Sequence, residues 1–275
     1  MMLIKEKVIE NKQIGNPEQG LFRLVLQGEA ALAARPGQFV HIRVGETYDP
    51  LLRRPVSIAA MNRERRELTL YYRVKGKGTA LLTQIRPDEM VSILGPLGNG
   101  FQLPSSGRLL LIGGGIGVFP LFSILEAVDR KKVDVKLLWG GENQCFMESA
   151  GLDGLKKSGI DYELATMDGS TGYKGLVTDL LRTELESPQN KRDSPAKTLL
   201  AASCGPGGMM KAVAAICREA GVPLQVSLEE RMACGVGACL GCVCTVREAG
   251  VLQRKKVCKD GPVFDGEEVV WDAEC

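Results

Sequence analysis

A single histidine, His41, occurs among 275 residues. Catalysis through a Ser–His–Asp triad, a histidine proton relay or a histidine-rich zinc site is thereby all but excluded. Aromatic residues amount to only 5%, too few for a base-stacking surface. An excess of one charge is missing as well. The 35 basic side chains face 33 acidic ones, for a formal net charge of +2, which is not the basic surplus of a nucleic-acid binder. No apolar run reaches the roughly 18 residues of a membrane span. The opening Met1-Met2-Leu3-Ile4-Lys5-Glu6-Lys7 turns charged too soon for a signal peptide. With 44% hydrophobic and 25% charged residues, the chain has a globular makeup, not a disordered, collagenous or coiled-coil one. Together these features predict a cytoplasmic protein of one large or two medium domains.

The order of elements sharpens this. Short β-favouring runs over 20–26, 38–44, 67–74 and 90–94 recur between Gly- and Pro-containing breaks, a spacing that predicts a small antiparallel barrel. Pro104-Ser105-Ser106-Gly107 punctuates the chain. Beyond it, strands are expected at 108–112, 133–139, 160–166, 198–203 and 224–227, alternating with helices at 119–130, 148–158, 175–186 and 208–220. The polar, proline-containing stretch 187–197 reads as an exposed loop. Such alternation implies a parallel sheet covered on both faces. From Glu229 onward the alternation stops. The expected fold is therefore multidomain: an all-β barrel over 1–104, a parallel α/β domain over 105–227 and a small C-terminal subdomain over 228–275.

What the chain does have is cysteine. There are nine, an odd number without a secretory signal, which points to metal ligands or free thiols more than to disulfides. Five fall within 234–258. Cys234, Cys239 and Cys242 form C-x4-C-x2-C, and Cys258 follows after fifteen residues, the plant-type [2Fe–2S] arrangement. Gly235, Gly237, Ala238 and Gly241 allow the backbone to wrap tightly and free its amides for the sulfurs. The competing reading is a four-cysteine zinc site, although zinc ribbons usually present two separated CxxC knuckles. Cys244 could compete as a ligand, but the spacing selects Cys242. Cys145, Cys217 and Cys275 read as ordinary thiols.

Two glycine turns follow apolar strands. Gly113-Gly114-Gly115-Ile116-Gly117-Val118-Phe119-Pro120 fails the G-x-G-x-x-G fingerprint, since Val118 stands where the third glycine belongs. It reads as G-x-G-x-x-P over Gly115, Gly117 and Pro120. Glycines at such a turn let a nucleotide approach the helix start. Cys204-Gly205-Pro206-Gly207-Gly208 repeats the pattern, so the two turns describe one crevice at the carboxyl ends of the strands. Trp139-Gly140-Gly141-Glu142-Asn143 carries no Arg or Lys to grip a 2′-phosphate, which favours NAD over NADP. In the barrel half, Arg53-Arg54-Pro55-Val56-Ser57, Tyr71-Tyr72-Arg73 and Gly76-Lys77-Gly78-Thr79 together suit a flavin cradle. An arginine can pair with a pyrophosphate, a serine hydroxyl can reach the ring, and Thr79 is expected to cap a helix over 80–85 beside glycine amides. Taken alone, the first of these motifs could equally be an exposed basic strand edge.

Barrel with R-x-x-S, parallel domain with GxGxxP and Cys-Gly-Pro, then the cysteine segment: in this order the chain resembles the ferredoxin–NADP reductase superfamily. Within it, the chain is similar to the family of electron-transfer subunits of NAD-linked dihydroorotate dehydrogenases. Arg54-Pro55-Val56-Ser57, Asp168-Gly169-Ser170 with Lys174-Gly175, Ser227-Leu228-Glu229-Glu230-Arg231-Met232-Ala233 and Gly261-Pro262-Val263-Phe264 carry the likeness. Val56 departs from the superfamily's R-x-Y-[ST] and removes one possible flavin contact. The resemblance implies FAD in the barrel, NAD(H) on the parallel domain and a [2Fe–2S] cluster on the four cysteines. It also implies a partner, the FMN-containing catalytic subunit that oxidises dihydroorotate, assembled as two copies of each. A subunit of another flavin–iron–sulfur complex, such as an NADH-dependent ferredoxin–NADP oxidoreductase or a sulfhydrogenase, is the alternative. Glu229 or Glu230, lying between the nucleotide sheet and the cysteines, is expected near the flavin.

Overall fold

A computed structural model describes residues 2–45, 49–187 and 199–273. Six strands close an antiparallel barrel: β1 (Met2–Gln13), β2 (Leu21–Gln27), β3 (Phe39–Ile42), β4 (Arg54–Asn62), β5 (Glu67–Arg73) and β6 (Met90–Leu97), in the order β1-β2-β5-β4-β3-β6. Their inward residues alternate, as on β5, where Leu68, Leu70 and Tyr72 are buried and their neighbours less so. That period of two fills the interior with Leu24, Leu26, Val40, Ile58 and Ile93. Two short helices, α1 (Ala30–Ala33) and α2 (Lys77–Leu82), lie on the connections after β2 and β5. β1 and β4 are strands that the sequence pattern did not disclose. The lysines and glutamates of β1 leave few buried positions on it, and β4 opens on the charged and proline residues Arg54-Pro55.

The second sheet is built from β7 (Gly107–Gly114), β8 (Val133–Gly141), β9 (Asp161–Thr166), the two-residue β10 (Tyr173–Lys174), β11 (Leu199–Cys204) and β12 (Leu224–Ser227). These strands pair in parallel. β7 is buried along its whole length, as a strand covered on both faces should be. One face is covered by α3 (Val118–Ala127), α4 (Gln144–Ser149) and α5 (Leu152–Ser158), the other by α6 (Val177–Glu186) and α7 (Gly207–Ala220). The single helix expected over 148–158 is two. Asn143 starts the first of them, its Oδ1 accepting from the Phe146 N–H at 2.9 Å, and the chain breaks at Ala150-Gly151 before the second. The predicted loop 187–197, apart from Ser187 at the end of α6, lies outside the described residues, as does Cys275.

α3 serves both halves. Ser123 Oγ accepts from the Gly37 N–H at 3.2 Å, and Glu126 Oε2 accepts from the Met61 N–H at 2.9 Å. Phe119 stacks on Tyr71 of the barrel, with centroids 4.4 Å apart.

The C-terminal part is more regular than expected. A hairpin of β13 (Val243–Glu248) and β14 (Val251–Lys256) is followed by β15 (Val263–Asp265), which adds antiparallel to β12 at the sheet edge. The same segment holds the barrel: the Asn99 N–H donates to Gly261 O at 2.6 Å, and Asn99 Nδ2 to Asp260 O at 2.9 Å. No helix among the described residues is long and apolar enough to cross a membrane.

At the lower end of the nucleotide sheet, Glu184 of α6 joins two cations. Its Oε1 accepts from Arg108 Nη2 at 2.8 Å and its Oε2 from Lys136 Nζ at 2.7 Å, with the glutamate side chain 8% exposed. Burial works against the Lys136 charge, but Glu163 and Glu184 outweigh it and hold its pKa above the ordinary lysine value. Removing the shared carboxylate takes the buried partner from both cations and leaves Lys136 on Glu163 at 2.5 Å and Arg108 on Asp134 at 3.6 Å, both more exposed. Glu184→Ala is therefore expected to lower unfolding stability by about 3 kcal/mol, read as a lower midpoint in urea.

Candidate functional site

β7 and β11 are neighbours in register, Gly113 opposite Cys204, so both glycine turns leave the same edge of the sheet. They touch. A Cβ on Gly117 would sit 2.6 Å from Cys204 O and from the Gly205 Cα, and one on Gly114 would meet Pro206 at 2.8 Å. Only glycine at 117 lets the two turns close to this distance. The result is a cleft of about 640 Å³ lined by Gly115, Gly117, Gly205 and Pro206 together with Gly114, Gly207 and Gly208. Gly113 and Cys204 are not on its wall. Gly113 is paired inside the sheet with Val118 beside it. Cys204 is buried, and burial, with the charge of Glu229, pushes its thiol above the ordinary range against a hydrogen bond from Ser227.

A second cavity, of about 250 Å³, opens between barrel and sheet. Its wall brings together Arg54, Pro55, Val56, Ser57, Tyr71, Tyr72, Arg73 and Thr79, with Phe119 and Pro120 of α3 opposite. Gly78 lies directly under the Arg54 guanidinium. The details differ from the expectation at three places. α2 begins at Lys77, so Thr79 is its third residue and not its cap; its hydroxyl accepts from the N–H groups of Lys75 and Gly76 at 2.9 and 3.2 Å. The Tyr72 hydroxyl donates to Asn11 Oδ1 at 2.9 Å, which ties it to the barrel, and burial raises its pKa. Arg53 turns inward to Ser92, donating to its carbonyl at 2.9 Å and its hydroxyl at 3.0 Å, which leaves Arg54 to face the cavity.

The two cavities share a wall made of Arg73, Lys75, Ile116, Leu228, Glu229 and Glu230. Arg73 is fixed by Gln19, whose carbonyl and side chain accept at 3.0 and 2.9 Å, and it reaches Glu142 at 3.4 Å. Burial raises the Glu229 pKa, opposed by the charge of Lys75. Lys75, Glu142 and Trp271 on these walls were not singled out in the sequence. A cation two residues beyond Arg73, where β5 runs out, is the one signal that pointed to Lys75.

From this wall the chain runs straight into the cysteine loop, which rests on Phe39 and Leu97 of the barrel. Sulfurs accept main-chain N–H groups there: Cys234 from Val236 and Cys239 at 3.5 and 3.4 Å, Cys258 from Gly237 at 3.2 Å. Burial alone would raise the Cys234 thiol, but these amides and the Cys239 side chain bring it down to about 6. Cys258 is pushed up to about 12 by burial and by Cys242. The four thiols thus act on one another: Cys234 with Cys239, Cys242 with Cys258, and Cys258 with Cys234. Among the described residues no three His, Cys, Asp or Glu side chains form a ready cage for one metal ion. Soft sulfur donors ringed by amides are the chemistry that suits an iron–sulfur group. Cys244, on β13, lines the wide cleft instead. Beneath the loop, a Cβ on Gly235 (φ +71°) would run into Nδ1 of the buried His41. Burial, opposed by the Arg53 main chain and aided by the Arg53 and Arg54 charges, keeps that imidazole neutral down to about pH 4.

Three family models match the sequence: an oxidoreductase FAD-binding domain over residues 6–101, an oxidoreductase NAD-binding domain over 111–215, and the iron–sulfur cluster binding domain of dihydroorotate dehydrogenase B over 229–270. The electron transfer subunit of dihydroorotate dehydrogenase B (NAD(+)) from Desulforamulus reducens is 42% identical over 246 residues, covering 89% of this chain and 90% of its own. The protein of the same name from Geobacillus thermodenitrificans is 43% identical, over 90% and 92% of the two chains. A solved NADH-dependent reduced ferredoxin–NADP oxidoreductase superposes with a TM-score of 0.80 at 31% identity, covering 97% of this chain and 90% of that one. The ferredoxin NADP+ reductase of Neisseria gonorrhoeae, at 18% identity and a TM-score of 0.62 over 80% and 92% of the two chains, shares the fold.

The contact at Gly117 gives a direct check. Gly117→Ala is expected to part the two turns and weaken NADH binding at least about tenfold, or 1.4 kcal/mol, with the flavin content unchanged. Titration of the purified protein with NADH measures it, and an unaltered Kd would remove this crevice from consideration.

Proposed function

The chain belongs to the family of electron transfer subunits of dihydroorotate dehydrogenase B (NAD(+)), and on that premise we propose that it takes electrons from a dihydroorotate-oxidising partner subunit and delivers them to NAD+. FAD, NAD and iron–sulfur binding domains are all present in the one chain. The observation that carries the reading is the shared wall: Leu228, Glu229 and Glu230 border both cavities, and the same segment leads within four residues into Cys234. A flavin, when bound, exchanges single electrons with an iron–sulfur cluster and a hydride with a nicotinamide, which no side chain can do.

The residues divide the remaining work. Arg54, held over Gly78, is placed to pair with a pyrophosphate, and Ser57 presents its hydroxyl to the same cavity. The flat Tyr71–Phe119 stack closes one side of it. Gly115, Gly117, Gly205 and Pro206 give a nucleotide close access to main-chain amides at the ends of β7 and β11. Glu229 stands where the two ligands meet, with Cys204 and Ser227 behind it, and is assigned to orient the nicotinamide. Cys234, Cys239, Cys242 and Cys258 are assigned as cluster ligands. We take residues 1–104, 105–227 and 228–275 as the three working units, a division supported by the positions of the matched segments. Following the family resemblance, the partner carries FMN, two copies of each subunit assemble, and the complex works in the cytoplasm. The NADH-dependent ferredoxin–NADP oxidoreductase shares the architecture, so the fold alone does not choose between the two activities. The higher identity of the dihydroorotate dehydrogenase relatives favours the first.

Two outcomes are expected. The anaerobically purified protein should show flavin and iron–sulfur absorbance and gain an EPR signal when NADH is added; a protein that stays colourless after reconstitution with iron, sulfide and FAD would falsify the redox reading. Cys258→Ser should lose the iron–sulfur absorbance and slow dihydroorotate-driven NADH formation, in complex with its partner, on the order of 100-fold or more. Its flavin should still be reduced by NADH, which locates the defect upstream of the flavin.

A further inference from the structure

His41 has no part in the reading so far, yet its setting calls for a partner. Its ring is fully buried in β3; the Arg53 main chain lies near it, but neither Nδ1 nor Nε2 reaches a partner at good hydrogen-bond geometry. A neutral imidazole carries one N–H and one lone pair, and burying either unmet is unfavourable. An apolar ring would fill the same space without that cost. The Nδ1 edge lies on Gly235, the residue after Cys234, and the missing side chain there is what admits the ring to the underside of the thiol loop. The sulfurs of that loop already collect donors, from the main chain of Val236, Gly237 and Cys239. Such donors favour the reduced form of an iron–sulfur group, which carries more negative charge on sulfur.

We propose that His41 is a positioning residue for the iron–sulfur group, its ring N–H donating to a sulfur of the cluster held by Cys234, Cys239, Cys242 and Cys258 and raising the cluster's reduction potential. This rests on the assignment of those four cysteines as ligands. It also explains why a chain without any histidine chemistry keeps one histidine, placed in the barrel wall where the cysteine loop lands.

Because His41 is the only histidine, labelling with 15N-histidine puts the isotope in a single side chain. Pulsed EPR on the reduced, cluster-loaded full chain should then show an isotropic 15N coupling, the mark of spin density passed through a hydrogen bond. His41→Phe, which keeps a flat ring without a donor, should load iron and sulfide but titrate at a lower potential with shifted g values. His41→Gln, which keeps an N–H, should recover part of the shift. A loaded wild type without the isotropic coupling overturns the inference, as does a loaded His41→Phe variant with unchanged potential and g values. Should His41→Phe take up no iron, the wild-type coupling decides alone. A wild type that shows no cluster signal even after reconstitution overturns the ligand assignment itself, an outcome distinct from a loaded cluster that ignores His41.

Discussion

The close approach of two backbone turns is the constraint from which the rest of the molecule is arranged. Gly117 and Gly205 meet because nothing but hydrogen projects between them. That contact sets β7 against β11, leaves the amides of both turns on one edge, and makes a crevice of what would otherwise be two separate strand ends. α3 starts from the first of these turns and carries Phe119 and Ser123 onto the barrel. The cavity between barrel and sheet is therefore positioned by the same turn that shapes the wider cleft. One short helix, not a flexible linker, thus ties the two cavities together.

Electrostatics then separates the sites. The shared wall holds cations from β5 and its end, Arg73 and Lys75, against acids from the segment after β12, Glu229 and Glu230. Arg73 is spent on Gln19 and Glu142, so it braces the domains, whereas Lys75 is the charge that acts on Glu229. The thiol loop follows a different rule. Its main-chain amides point at sulfur, and the loop carries its own donors without needing a cationic side chain.

Much of this was legible in the sequence, for reasons specific to each part. The parallel sheet announced itself through its central strands β7 and β11, which are largely apolar and run into glycine turns. The cysteine spacing is local, so three of the four thiols come together with no knowledge of the fold. β1 was hidden because its alternation is written in lysine and glutamate, and only pairing with β2 and β6 defines it. Thr79 was misplaced by a matter of register, since a helix start of Gly76-Lys77-Gly78 offers no side-chain cap to read. The places of Glu142 and His41 could not be found at all from spacing. Each owes its position to a contact across the fold, and His41 in particular touches a residue 194 positions away (235 less 41).

The stitching of the C-terminal segment has a consequence for biogenesis. Phe39 and Leu97 supply the floor under the thiols, Asn99 anchors Gly261, and β15 needs β12 as its template. Every one of these supports is synthesised before the cysteines that use it. The cysteine loop is thus made only after the barrel residues and the sheet strand that support it. A nascent chain whose barrel and sheet have misfolded has no surface on which to seat these cysteines.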